Sequence, residues 1–161
     1  MNITVFRIDD RLIHGQIVTA WIAYSNAEQI IVADTKAAND DFQKSLLKMA
    51  TPKSINLLIL ETDEAIKMIK EDTSNTKTLL LARGAKEALQ LIEGGVIAEE
   101  INIGNINMKK GKTKILGNLW VDEEDVSNFR KLDEKGIRLE VRTVPNDRSQ
   151  DAIKLINKSK L

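Results

Sequence analysis

The sequence has 161 residues, a length that predicts one domain spanning residues 1–161. Its 24 basic and 24 acidic side chains give a formal net charge of zero, so no overall field favours nucleic acid, and we expect no nucleic-acid partner. Cysteine is absent and only one histidine is present, which excludes disulfides, thiolate chemistry and metal sites that need cysteine or two histidines.

The N-terminal residues carry no apolar leader, and no later segment approaches the roughly 18 consecutive apolar residues of a membrane span. We therefore expect neither export nor a membrane-spanning segment. The absence of cysteine is consistent with a reducing compartment, and the cytoplasm is the expected location.

Short runs rich in β-branched residues predict strands, and the stretches between them have apolar residues three and four apart, as helices do. The strands are predicted at 2–8, 28–33, 55–60, 77–82, 99–103 and 137–144. The helices are predicted at 15–24, 40–50, 63–71, 84–93, 123–135 and 149–158. Because helices follow nearly every strand, we predict an α/β fold with a doubly wound, mainly parallel sheet and helices on both faces.

Two of the predicted helices have an apolar face that we expect to pack against the sheet. In the first helix this face consists of Ile17, Ala20, Trp21 and Tyr24. In the second helix it consists of Phe42, Leu46 and Met49. Trp120 is also expected in or near the core.

Capping signals mark the last two predicted helices. Asp122 is expected to cap the helix at 123–135, and Gly136 is expected to end it. Asp147 and Gln150 resemble a capping box for the last helix. The segment 111–121 fits either a small hairpin or an extra strand.

The polar run DDRLIHGQ at 9–16 is the main candidate for chemistry, because ligands of open parallel sheets bind beyond the carboxyl ends of strands. His14 directly precedes a predicted helix, where unpaired backbone N–H groups can bind an anion, and Gly15 lets the backbone come close. A neutral imidazole has a lone pair on one ring nitrogen, so we expect that His14 can act as a nucleophile.

Three neighbours of His14 can assist such chemistry. If the imidazole accepts a phosphoryl group, Arg11 offers a planar fork of donors to hold its charge. Asp10 or Asp9 can orient either Arg11 or the other imidazole nitrogen, and Gln16 can supply a further donor. The same residues also fit a helix cap without chemistry.

Other candidates follow later strands. If the fourth strand lies beside the first, Arg83 and Gly84 stand at its carboxyl end and can form a second lip of the site. The alternative is that Arg83 is a surface residue and Gly84 a tight-turn glycine. Gly104 and Asn105 follow the fifth strand and can line the rim. A basic run can attract an acidic partner or simply be solvated, and it consists of Lys109, Lys110, Lys112 and Lys114.

The run RIDDRLIHGQIVTAW at 7–21 resembles the active-site signature of the IIB components of mannose/fructose/sorbose-type sugar phosphotransferase systems. Weaker resemblance extends over 30–52, 101–115 and 121–145. One element departs from the family pattern, in which glycine, methionine and histidine often follow an NxG element. In this chain that loop contains Asn105, Ile106 and Asn107.

The resemblance implies that His14 carries a phosphoryl group, that Arg11 contacts it, and that Asp10 and Gln16 flank the site. It implies a cytoplasmic phosphohistidine–sugar phosphotransferase component without metal or cofactor, peripherally associated with its membrane subunits. The implied donor is a phosphorylated IIA domain, and the acceptor is a sugar presented by IIC and IID subunits. The sugar, the phosphorylated ring nitrogen and assembly into a homo-oligomer stay open.

Two other functions fit the same residues. A hydrolase could use Arg11 and His14, although histidine phosphatases need a further acid near the leaving group, and a second histidine is absent. A phosphate- or nucleotide-binding module without phosphoryl transfer is the other, although neither a Walker loop nor a GxGxxG motif follows any predicted strand.

Overall fold

The computed structural model describes residues 1–159 and 161. The strands are β1 (Asn2–Asp9), β2 (Gln29–Ala33), β3 (Asn56–Leu60), β4 (Lys77–Ala82), β5 (Glu100–Asn105), β6 (Thr113–Leu116), β7 (Leu119–Val121), β8 (Arg138–Val141) and β9 (Gln150–Asp151). The helices are α1 (Gly15–Ser25), α2 (Thr35–Ala38), α3 (Asp41–Ala50), α4 (Thr62–Glu71), α5 (Ala85–Glu93), α6 (Glu123–Glu134) and α7 (Ala152–Lys158).

The main sheet has the strand order β3-β2-β4-β1-β5-β8-β9. Its strands are parallel except for β9, which runs antiparallel to β8. The predicted doubly wound, mainly parallel sheet is therefore confirmed. Since β1 lies between β4 and β5, the loops that follow these three strands meet at one edge, and Arg83 does follow a neighbour of the first strand.

The sheet separates two hydrophobic cores, because successive side chains of a strand point to opposite faces. Ile31 of β2 and Leu80 of β4 join the core formed with α4 to α7. Ile30 and Leu79, one residue earlier, join the core formed with α1 to α3. Helices therefore cover both faces, as predicted. Within the described residues, no helix is both long and apolar enough to cross a membrane.

The predicted apolar face of α3 is wrong. Phe42 and Met49 are 74% and 83% exposed, and Leu46 is also exposed, whereas Leu47 is the buried residue of this helix. Apolar residues spaced three and four apart show that a helix is amphipathic, but they do not show which side of a wide apolar arc meets the sheet. In α3 only the side with Leu47 does.

The predicted face of α1 is correct only in part. Trp21 is buried, as expected, and Val18 and Ser25 are buried with it. Tyr24 is 57% exposed and makes an edge-on contact with the Trp21 ring at 5.5 Å between centroids. The stripe that meets the sheet is therefore rotated away from Tyr24. Trp120 is half-buried on β7.

The unplaced segment 111–121 forms a hairpin, with β6 and β7 antiparallel in a separate small sheet. The predicted capping box of the last helix is wrong: α7 begins at Ala152, and the Asp151 side chain accepts a hydrogen bond from the Lys154 backbone N–H at 3.0 Å. Gln150 lies in β9, and Asp147 instead accepts from the Val144 backbone.

The predicted cap of α6 is confirmed. The Asp122 side chain accepts a hydrogen bond from the Asp125 backbone N–H at 2.8 Å, and Asp125 accepts one from the Asp122 N–H in return. This backbone hydrogen bond lowers the pKa of Asp122. Gly136 follows the helix end with φ +84°, a conformation that favours glycine.

Replacing Asp122 with alanine is expected to lower the free energy of unfolding by about 1 kcal/mol at pH 7, since an N-cap is lost. Because folding lowers the pKa of Asp122, its contribution is complete above the unfolded value of about 3.9 and disappears as the pH falls through the folded value. Urea unfolding at pH 7 and pH 3 measures both effects. Asp133→Ala, at the opposite end of the helix, is the control, and an equal deficit at the two pH values would contradict the pH dependence.

Candidate functional site

The loop between β1 and α1 is fixed to the core beneath it. Leu12 has a φ of +60°, a left-handed conformation that is strained for a residue with a branched side chain. Its backbone N–H donates to the Asp9 carbonyl at 2.9 Å, and its side chain and that of Ile13 are buried in the core beside α1. Burial of these two side chains holds the strained turn and directs the next residue outwards.

His14 is the N-cap residue of α1, and its side chain is exposed and makes no capping hydrogen bond. Its carbonyl accepts from the N–H groups of Ile17 and Val18, which starts the helix. The first turn of α1 contains no acidic residue, so its positive end is not compensated by a carboxylate. Gly15, with φ +39° and open space around its Cα, leaves the backbone accessible to an anion.

Arg11 is held by Asp9. Its Nε and Nη2 donate to the two carboxylate oxygens at 3.1 Å each, and its backbone N–H donates to the same group at 3.0 Å. This two-pronged geometry fixes the guanidinium plane. The Arg11 side chain is still 28% exposed, whereas Asp9 is 1% exposed, so Arg11 can meet a ligand and Asp9 cannot.

Asp9 also binds Arg7, which begins a chain of buried polar groups across one face of the sheet. Arg7 donates to Asp9 at 3.0 Å and to Asn102 at 2.6 Å, and Asn102 donates to Glu140 at 2.9 Å. Glu140 in turn accepts from the Nε and Nη2 of Arg142. Burial lowers the pKa of Arg7 and the Asp9 carboxylate opposes this, so the guanidinium stays charged.

Asp10 points away from Arg11, towards the loop after β5. One carboxylate oxygen accepts from the side-chain amides of Asn105 at 2.9 Å and Asn107 at 3.0 Å, and the other accepts from the Asn107 backbone N–H at 2.7 Å. Of the two candidate carboxylates, Asp9 therefore orients Arg11, while Asp10 ties two loops together. Asn107, in the element that departs from the family pattern, supplies two of these three bonds.

Arg83 lies beside the same loop and is bound to Asp34. Its Nη2 donates to the Asp34 carboxylate at 2.8 Å and its Nη1 to the Asp10 carbonyl at 3.4 Å. Hydrogen bonding to Asp34 raises the pKa of Arg83. Gly84 is the N-cap of α5. Arg83 thus follows the strand beside β1 and contacts the Asp10 carbonyl, while its place at the lip of a phosphate site stays a prediction.

The remaining candidates lie around this group. Gln16 is exposed in the first turn of α1, next to His14. Gly104 and Asn105, expected after the fifth strand, are instead the last two residues of β5 and are buried, and Asn105 donates to Asp10 from there. Within the basic run, Lys112 binds Asp125 at 2.8 Å, while Lys109 and Lys110 are exposed. Lys112 is therefore already paired within the chain, and a role of the run in binding an acidic partner stays a prediction.

Sequence reasoning missed Arg7, Asn102 and Asn107. For Arg7 a signal was available: residues two apart in a strand share a face, so Arg7 and Asp9 must lie side by side on β1. Asn102 and Asn107 gave no such signal, because their partners are 95 and 97 residues away.

The assembled site has three chemical resources at one edge of the sheet. An exposed imidazole without a hydrogen bond can act as a nucleophile, a guanidinium held in a fixed plane can stabilise an anion, and free N–H groups of α1 face the same loop. Such a set suits the transfer of a phosphoryl group through the imidazole.

Comparison with known proteins gives a consistent result. The family model described as PTS system sorbose subfamily IIB component matches residues 3–161. The chain is 38% identical over 158 residues to the PTS system sorbose-specific EIIB component of Lacticaseibacillus casei. This match covers 98% of the chain and 96% of the relative. The chain is also 35% identical over 159 residues to the PTS system mannose-specific EIIAB component of Escherichia coli (strain K12), covering 98% of this chain and 49% of the relative.

Solved structures agree with these sequence matches. The crystal structure of the IIBSor domain of the sorbose permease from Klebsiella pneumoniae matches with a TM-score of 0.94 and 30% identity, covering 99% of this chain and 98% of that one. Because the family model and the relatives extend over nearly the whole sequence, the chain belongs to the sorbose subfamily of IIB components of sugar phosphotransferase systems.

Proposed function

We propose that His14 is the residue of this chain that carries the phosphoryl group. IIB components of this family perform a phosphoryl-transfer step in sugar import and work with IIA and with IIC and IID partners. The observation that supports His14 is its exposed imidazole at the uncompensated N-terminus of α1, in a loop whose Arg11 is held by Asp9. The sequence contains no second histidine that could replace it.

In the proposed first step, a ring nitrogen of His14 attacks the phosphorus of a phosphohistidine on a IIA domain. The new P–N bond forms as the bond to the donor imidazole breaks, and the donor ring leaves with its electron pair. Arg11 and the free N–H groups of α1 stabilise the oxygens of the transferred group. In the second step a sugar hydroxyl attacks the same phosphorus, its proton is released, and the His14 imidazole leaves.

We expect the site to bind the phosphoryl group with only moderate strength, as a carrier requires. A single exposed guanidinium and the backbone N–H groups of one helix stabilise the phosphohistidine without enclosing it, so the group can leave again. We assign the exclusion of water to docking of the partner, because a long lid loop is absent from the sequence.

The setting of this reaction is also part of the proposal. The donor is a phosphorylated IIA domain, the acceptor is a sugar bound to IIC and IID subunits at the membrane, and residues 1–161 act as one domain. Asp10 and Gln16 flank the phosphoryl site, Gly15 permits close approach of its oxygens, and Arg83 lies at its lip. Asp10 acts by holding the loop, since its carboxylate is bound to Asn107 and Asn105.

The test is to incubate the chain with a phosphorylated IIA domain of a sorbose-type system, and separately with phosphoramidate, a chemical donor to imidazoles. We expect one phosphate per chain, labile in acid and stable in base, that tandem mass spectrometry maps to His14. Phosphate on a different residue, or a chain that stays unlabelled with both donors, contradicts the proposal. Rapid release of inorganic phosphate would instead favour a hydrolase.

A further inference from the structure

Two arginines of β1 and its loop share one buried carboxylate. Arg7 is 2% exposed and Asp9 is 1% exposed, and Arg11 binds the same Asp9 from the solvent side. The Nη2 atoms of both arginines donate to the same Asp9 oxygen, Oδ2, so a shift of Arg7 that moves this carboxylate changes the geometry at Arg11.

The charges of this trio also favour an anion at its open end. Two guanidiniums and one carboxylate sum to one positive charge, and the nearby Glu140 and Arg142 neutralise each other. Because Arg7 already neutralises much of the Asp9 charge, Asp9 can orient Arg11 without cancelling its charge. Without Arg7, the pair of Asp9 and Arg11 would be neutral and would attract a phosphoryl group less.

A glycine of the adjacent strand makes room for Arg7. A Cβ atom on Gly104 of β5 would overlap the guanidinium carbon and both terminal nitrogens of Arg7. The guanidinium is held there from other sides as well. Its Nη1 donates to Asn102 at 2.6 Å and to the Arg142 carbonyl at 3.1 Å, and its centre lies 5.1 Å from the Trp21 ring. Glycine weakens a strand interior, and the close approach of this side chain accounts for its presence.

We propose that Arg7 is a positioning residue for phosphoryl transfer, which fixes the orientation and the free charge of Arg11 through Asp9, in a space that Gly104 provides. Arg7 is too deeply buried to touch a phosphoryl group itself, so it acts only through its partners. The proposal rests on the proposed function of His14 as the phosphoryl carrier.

Gly104→Ala tests this proposal without removing any polar group. We expect the rate of phosphorylation by phosphoramidate to fall about ten- to a hundredfold, because a displaced Arg7 misplaces Arg11. The same loss is expected with a phosphorylated IIA domain, with KM for that donor unchanged, since Arg7 and Gly104 are both buried. The NMR signal of the Arg11 Nε–H, which donates to Asp9, is expected to shift in the same variant.

Gly117→Ala is the matched control, since a Cβ atom there meets nothing within 4 Å, and it should leave both the rate and the signal unchanged. In the double variant Arg7→Lys/Gly104→Ala, a compact ammonium no longer needs the space at 104, and part of the lost rate should return. If Gly104→Ala does not fold, the single variant Arg7→Lys tests the proposal. We then expect a reduced rate of phosphorylation and a shifted NMR signal of the Arg11 Nε–H.

Two failures can be told apart. A wild-type chain that takes no phosphate contradicts the role of His14, and with it this proposal. If the wild-type chain is labelled and Gly104→Ala reacts at the same rate, only the positioning role of Arg7 is contradicted. Where Gly104→Ala does not fold, an unchanged rate in Arg7→Lys has the same meaning.

Discussion

Replacing His14 with alanine is expected to abolish phosphorylation of the chain by both a phosphorylated IIA domain and phosphoramidate. No second imidazole exists to accept the group. The variant should remain as stable as the wild type, with a free energy of unfolding within about 0.5 kcal/mol, because the exposed side chain makes no hydrogen bond that folding needs. Intact-mass spectrometry measures the label, and urea unfolding measures the stability.

The control for this variant is Gln90→Ala, an exposed polar residue of α5 that should be labelled as the wild type is. Full labelling of His14→Ala would remove the basis of the proposed function. Loss of labelling together with loss of the fold would show that the imidazole has a structural role that its exposed position does not explain.

Replacing Asp9 with alanine is expected to cause the largest loss of stability, about 3–5 kcal/mol, because a buried charge loses its partner. The guanidinium of Arg7 would then face that of Arg11 with no carboxylate between them. A domain of this size has a total stability of roughly 5–15 kcal/mol, so the loss is large but measurable by urea unfolding. The rate of phosphorylation should also fall, since Arg11 is no longer held.

The double variant Arg7→Met/Asp9→Ala separates these two effects. It removes both buried charges, so much of the stability should return, since apolar side chains can replace a buried ion pair at little cost. Phosphorylation should stay slow, because Arg11 still lacks its carboxylate. A deficit below about 1 kcal/mol in Asp9→Ala would show that water, rather than Asp9, compensates the charge of Arg7.

The elements that depend on local pattern were predictable from the sequence. The strands and longer helices lie within a few residues of their predicted bounds, and the caps at Asp122 and Gly136 are correct. The four-residue α2 and the two-residue β9 were missed because each spans about one period of its pattern, too little for the pattern to repeat. The strand β8 ends at Val141 rather than at residue 144, since the chain turns there to bring β9 alongside.

The direction in which a helix faces was less predictable. Three apolar residues of α3 read as a core stripe, yet Leu47 beside them is the residue that the sheet covers. A pattern of hydrophobic residues describes one helix, whereas burial depends on which neighbours the topology supplies. The same limit applies to Tyr24, which was assigned to the packed face of α1 and lies at its open side.

The loop that carries the candidate site was predictable, but the hydrogen bonds that hold its side chains were not. His14 lies exposed at a helix start, and Arg11 is held by a carboxylate, both as expected. Whether Asp9 or Asp10 holds Arg11 depends on strand alternation and on residues almost a hundred positions later, since Asn105 and Asn107 bind Asp10. Such contacts arise from sheet order, which no local pattern encodes.

The two-residue strand β9 has a consequence for how copies of this chain meet one another. An open sheet edge displays unpaired backbone groups that can recruit another strand, and very short edge strands limit this tendency. Because the two-residue β9 pairs with β8 at this edge, few unpaired backbone groups remain there for the strand of another molecule. Molecules of this chain at high concentration are thus less prone to join their sheets along that border.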